Sequence, residues 1–329
     1  VRKISIQADT DIWLEYAGEK GIHGAILSYL SLKKENFYMV ENTVDGKFFV
    51  TARGWEDLSE ILKSYEELQV EIGEELIGEF LQKEEIARDF AGYYRLYEKY
   101  KSDYQIQEIL DGNVISGQLK TCCDMGKKAS FEERFTVTEM LLEAVTERIS
   151  VFQKTDEKIE KLYENLKLLK VFLQEKNSVE AMEQFIVSRR KALDAKICSE
   201  LLTAEEAARE EEQIRILEEY FFQLKELHIS DVAEGIEQIG ERFGNVCRLR
   251  NEKLEETKKM LEQAFSFLEE CFGEGQELLL FETGLTGDDR CSIFISQYGC
   301  PSYFKHCELL LYSKKENELR KECRDLLEE

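Results

Sequence analysis

The chain has a single proline, Pro301, in 329 residues. This excludes proline-rich linkers and polyproline segments, and helices meet almost no covalent breaker. With only three histidines, nucleophilic catalysis has little to work with. Positive charge is scarce: 44 Lys and Arg stand against 68 Asp and Glu, a net charge of -24. A nucleic-acid surface or an anionic membrane needs the opposite sign, so neither is expected as a partner. No apolar run approaches the roughly 20 residues that span a bilayer. Nothing near the start reads as a secretory leader. A P-loop, Gly-x-x-x-x-Gly-Lys-Ser/Thr, is missing, as is an apolar strand ending in paired acids. Carboxylates are so abundant that no acid/base pair stands out without a pocket to separate their pKa values. No independent active site is expected.

The composition that remains is helical. Charged residues make up 34% and hydrophobic residues 43%, enough apolar content to build cores. Nine cysteines are scattered without Cys-x-x-Cys spacing. Cys122 and Cys123 are adjacent, and Cys300, His306 and Cys307 lie near the end. Structural zinc sites use two paired ligand groups, so reduced thiols, no metal and a cytoplasmic location are expected. Ile4 and Ile6 alternate with polar residues like a strand cut from something upstream, and the chain starts at Val1; both suggest a fragment.

Residues 9 to 33 read as two helices. The first starts at Asp9 or Thr10 and carries Ile12, Trp13 and Tyr16; Gly18 and Gly21 mark the turn. The second carries Ile26, Leu27, Tyr29 and Leu30, with His23 at its start as a capping or core histidine. A turn at Val44–Lys47 leads into Phe48-Phe49-Val50, a short strand that runs into a helix. Thr51 can cap that helix. Trp55, Leu58, Ile61, Leu62 and Tyr65 recur at helical spacing. Arg53 therefore lies in the first turn, where free amides and the dipole favour an anion. Two readings stand. Either Arg53 contacts a phosphate, as a planar, permanent cation can, or it pairs with Glu56 or Asp57 on a solvated face.

Asp11 to Ala17, Gly21 to Leu30 and Thr51 to Glu56 together resemble the lid segment of MoxR-type AAA+ ATPases. In that family an acidic-Trp helix is followed by a Gly-Ile-His-Pro-Ala helix and a Thr-Pro-Arg-Ser-Trp-Glu turn. The likeness covers about the first third of the chain. Gly24 and Ala52 stand where the family usually has proline; at helix starts that loss softens the turn only. The resemblance implies that Arg53 is the sensor-2 arginine touching the γ-phosphate, with Thr51 beside it. It also implies that Trp55, Trp13 and His23 anchor the lid. The cofactor it implies is ATP with Mg, bound mainly by a core that this sequence lacks. A hexameric ring and a partner with a von Willebrand factor A domain are implied as well. Glu282 to Thr286 and Ser296 to Cys300 are similar to a C-terminal signature of clostridial-type MoxR relatives; the middle of the chain shows no such likeness.

Trp55 to about Tyr104 stays helical. Ile77, Phe80, Leu81, Phe90, Tyr93, Tyr94, Tyr97 and Tyr100 form an aromatic-rich core face. Another helix ends at Asp111-Gly112-Asn113. Glycines 112, 117 and 126 with Lys127-Lys128 predict a linker over 111–129. Capping signals at Ser130–Glu133, Asn177–Glu180 and Thr203–Glu206 open later helices. Ile159, Leu162, Leu166, Leu169 and Leu173 make a heptad-like seam; Ile214 to Leu224 and Ile229 to Val246 repeat similarly. Long antiparallel helices follow from this. Leu278 to Phe281 reads as strand or helix start, and short helices run to Tyr312. The expectation is a mainly α protein. A lid-like helical domain with a short strand spans 1–110, a linker 111–129, and a long-helix arm with a short-helix cap 130–329. The functional expectation is the lid and partner-binding arm of an ATPase. The alternative is a stand-alone acidic helical scaffold or adaptor without nucleotide chemistry.

Overall fold

The structure, a computed structural model, describes residues 8–43, 46–113, 116–173 and 178–311. Ile4 and Ile6, the Val44-Asp45 turn, Asn177 and Tyr312 lie outside them. The protein is mainly α. In chain order it has α1 (Thr10–Lys20), α2 (Gly24–Leu32), strands β1 (Met39–Thr43) and β2 (Gly46–Val50), and α3 (Ala52–Glu67). There follow α4 (Glu74–Phe80), α5 (Glu84–Tyr104), α6 (Ile106–Asp111), α7 (Ser116–Gly126) and α8 (Phe131–Leu173). The remainder is α9 (Ser178–Cys198), α10 (Ala204–Glu226), α11 (Val232–Phe272), α12 (Gln276–Gly287), α13 (Asp289–Tyr298) and α14 (Pro301–Leu311). The strands pair antiparallel, Val40 opposite Phe49. Leu278 to Phe281 is helical, in α12.

Local sequence explains most boundaries. Asp9 caps α1 through the Asp11 and Ile12 amides, and Gly21 ends it in the left-handed conformation. Thr203 and Glu206 form a reciprocal capping box on α10. At α8 the Ser130 hydroxyl accepts the Glu133 amide, while the Glu133 carboxylate takes the Tyr104 hydroxyl at 2.8 Å.

The chain divides into two units. The first comprises 1–147, 260–295 and 299–329; the second comprises 148–259 and 296–298. This differs from a linker at 111–129. That stretch is helical in α7 and buries Cys122 and Cys123. Its glycines have other uses: Gly112 closes α6 in the left-handed conformation, and Gly126 lies against Phe272. Nor does 130–329 form one arm, because α8 and α11 each give residues to both units.

In the second unit, Arg190 pairs with Glu218 and Lys196 with Glu210, so α9 and α10 run antiparallel. The pairs Asp156–Arg250 and Tyr163–Phe243 give α8 and α11 the same relation. Between these helices lies a core that includes Leu162, Leu169, Phe185, Leu217, Tyr220 and Leu224. Leu217 is fully buried, whereas Leu201 in the α9–α10 turn is 73% exposed. Leu217→Ala should therefore cost about 2–5 kcal/mol of stability and Leu201→Ala less than about 0.5. Urea denaturation of the full chain, followed by circular dichroism, reads both.

Candidate functional site

The site begins at the turn from β2 into α3. Thr51 has extended backbone, and its hydroxyl accepts the Gly54 amide at 3.3 Å. Ala52 and Arg53 follow as first-turn residues, whose amides have no intrahelical partner. The Arg53 side chain is 79% exposed and donates to Asp57 at 3.0 Å, one helical turn on. The hydrogen bond and charge of Asp57 push the guanidinium further up from an already permanent charge. Of the two readings for Arg53, the structure displays the ion pair. Such an exposed pair is weak and exchangeable, so the guanidinium remains available to a stronger anion.

The helix carrying it is held firmly. Trp55 is fully buried and donates its indole N–H to the Phe37 carbonyl at 3.0 Å. Phe90 meets it edge-on at 5.3 Å and Tyr29 at 5.8 Å. Trp13 is buried against Phe37 at 5.0 Å. Gly54 brings α3 against the end of α4: a Cβ there would sit 2.8 Å from the Phe80 carbonyl oxygen. Any side chain at this position would therefore require the end of α4 to shift.

His23 caps α2 and also reaches α3. Its Nδ1 accepts the Ala25 amide at 3.1 Å, which leaves Nε2 to donate to Glu66 at 2.7 Å. Glu66 also accepts from Tyr94 at 2.9 Å and Lys101 at 3.0 Å. Burial alone would raise this carboxyl's pKa; the bonds from His23 and Lys101 reverse that and hold it at about 2. Next to it, Tyr97 donates to Glu143 at 3.0 Å. The Glu143 carboxylate occupies the space over Gly24, 1.6 Å from where a Cβ would lie. A proline at position 24 therefore requires Glu143 to move. Burial, then the neighbouring Glu143, pushes Glu139 up to about 7. On α5, Tyr93, Tyr94, Tyr97 and Tyr104 each have a hydroxyl partner; sequence spacing showed the core but not these partners.

Other candidates close on themselves. A groove lined by Gly73, Gly78, Leu81 and Gln82 is rimmed by Glu74, Glu75 and Glu84, the wrong sign for a nucleotide. Arg250 binds both oxygens of Asp156, at 2.7 and 3.0 Å, and Tyr298 at 2.7 Å. Its guanidinium also lies over the rings of Phe152 and Tyr298. This clamp joins positions 94 apart in sequence, and no local signal could have found it. Cys300 donates to Glu262 and His306 pairs with Glu269, so these two ligand types turn to different carboxylates. Among the described residues no three His, Cys, Asp or Glu side chains converge as metal ligands, and no helix is long and apolar enough to cross a membrane.

The Glu66 bonds set a pH dependence. Its folded pKa lies below the ordinary 4.5, so its stabilisation is complete above about pH 4.5 and is lost as pH falls towards about 2. Across that window about 2 kcal/mol should disappear. Urea titrations at falling pH should show a shallower acid limb for Glu66→Gln; an unchanged limb contradicts the assignment.

Comparison with family models, with curated proteins and with solved structures found no match to this chain.

Proposed function

We propose that the first unit carries the lid of a MoxR-type AAA+ ATPase and that Arg53 is its sensor-2 arginine. The observation that carries this reading is the placement of Arg53. It is a largely exposed guanidinium in the first turn of a Thr51-capped helix whose next residue but one, Trp55, is locked in the core. The order of elements also agrees with the resemblance: a Trp13 helix, a His23-capped helix, then the strand and turn. A γ-phosphate offers more charge and more acceptor oxygens than the single carboxylate of Asp57, so exchange of partner is favourable. There is no P-loop in this sequence, so on this reading ATP with Mg would be held by a core outside it. In the ring that the resemblance implies, Arg53 would contact the nucleotide and would stabilise the charge of the transferring phosphoryl group. The second unit is then the arm available to a partner such as a von Willebrand factor A domain.

The test is Arg53→Ala in the assembly that carries the P-loop. ATP turnover should fall by about tenfold or more while ATP affinity changes by less than about threefold. Arg53→Lys should recover only part, because an ammonium lacks the planar fork. Because Arg53 is exposed, the thermal midpoint should stay unchanged in both variants. Unchanged turnover removes the sensor-2 role and leaves the acidic helical adaptor.

A further inference from the structure

We infer that Cys123 and Cys271 form a cystine site, a disulfide that ties α7 to α11 on exposure to hydrogen peroxide. Both thiols are buried, and their sulfur atoms are 2.7 Å apart although the residues are separated by 148 positions. That is well inside ordinary sulfur–sulfur contact and a short movement from the bonded distance of about 2.05 Å.

The local packing explains why these two sulfurs meet. Gly126 lies one turn beyond Cys123 in α7. A Cβ at Gly126 would stand 2.8 Å from the Phe272 ring and 3.6 Å from the Cβ of Cys271. The missing side chain is what lets the two helices approach. The adjacent thiol, Cys122, turns the other way, with its sulfur 3.7 Å from the Asp103 carbonyl and 3.9 Å from that of Tyr104. The vicinal pair is thereby resolved: Cys122 packs on the end of α5, and Cys123 faces Cys271.

Burial selects the oxidant, since hydrogen peroxide is small enough to reach a site that a bulky disulfide reagent is not. The Cys123 sulfur attacks one peroxide oxygen; the O–O bond breaks, water leaves and Cys123 becomes a sulfenic acid. The Cys271 sulfur then attacks the Cys123 sulfur. The S–O bond breaks, and the departing hydroxide takes the Cys271 proton to leave as a second water. Two thiols lose two electrons and the peroxide gains them. Burial and the neighbouring Cys123 push the Cys271 thiol up, so it keeps its proton until the departing hydroxide takes it. The bond closes a long loop, so the oxidised chain should be the more stable.

The full chain, reduced, treated with hydrogen peroxide, alkylated and digested with trypsin, should yield the Cys271 peptide linked to the peptide containing Cys122 and Cys123. The link should survive Cys122→Ser and vanish in Cys123→Ser. The thermal midpoint should rise by about 5 °C or more on oxidation and fall back with dithiothreitol. Recovery of Cys123 and Cys271 as separately alkylated thiols, as separate sulfinic or sulfonic acids, or linked to other cysteines overturns the inference.

Discussion

The indole of Trp55 fixes the first unit. It is fully buried, its N–H satisfied by the Phe37 carbonyl, with Phe90 and Tyr29 against its ring. One side chain thus binds α3 to α2, to α5 and to the segment entering the hairpin. An aromatic of this size dominates the packing energy of its neighbourhood, and its single donor permits few orientations. Arg53 lies two residues before it. The anchor therefore sets the direction of the first turn, leaving the guanidinium in solvent with Asp57 as its partner.

A second layer of constraint is electrostatic. Tyr94 and Tyr97 place their hydroxyls on Glu66 and Glu143, and Tyr29 places its own on Asp89 at 2.8 Å. Each bond takes a carboxylate that an acidic chain must accommodate and ties it to a helix across the core. Glu66 gains enough partners to stay ionised. Glu139 does not: its carboxyl lies up at about 7, so its contribution is full below about pH 4.5 and is lost as pH rises from there through about 7. The two carboxyls, on α3 and α8, thus respond to pH with opposite sign.

The elements legible in the sequence are those whose causes are local. The Thr51 cap, the Thr203–Glu206 box, the Gly21 terminator and the seam through Leu162, Leu169 and Leu173 each span a few turns, and each is found where expected. Strand β1 escaped notice because Glu41 and Asn42 dilute its pattern and its pairing with β2 supplies the order. The unit boundaries escaped because α8 and α11 cross them without a break in helical periodicity. At the site, Arg53 and Thr51 were legible as a helix start. The His23–Glu66 bond, 43 positions apart, and the clamp on Arg250 depend on tertiary contact, which no spacing encodes.

The most direct measurement is the reactivity of Arg53 towards an arginine-specific dicarbonyl reagent, quantified by peptide mapping in the assembly that binds nucleotide. A guanidinium that engages the γ-phosphate should be protected by a non-hydrolysable ATP analogue and should remain reactive with ADP or with no nucleotide. Equal modification in all three states would contradict a nucleotide-sensing turn.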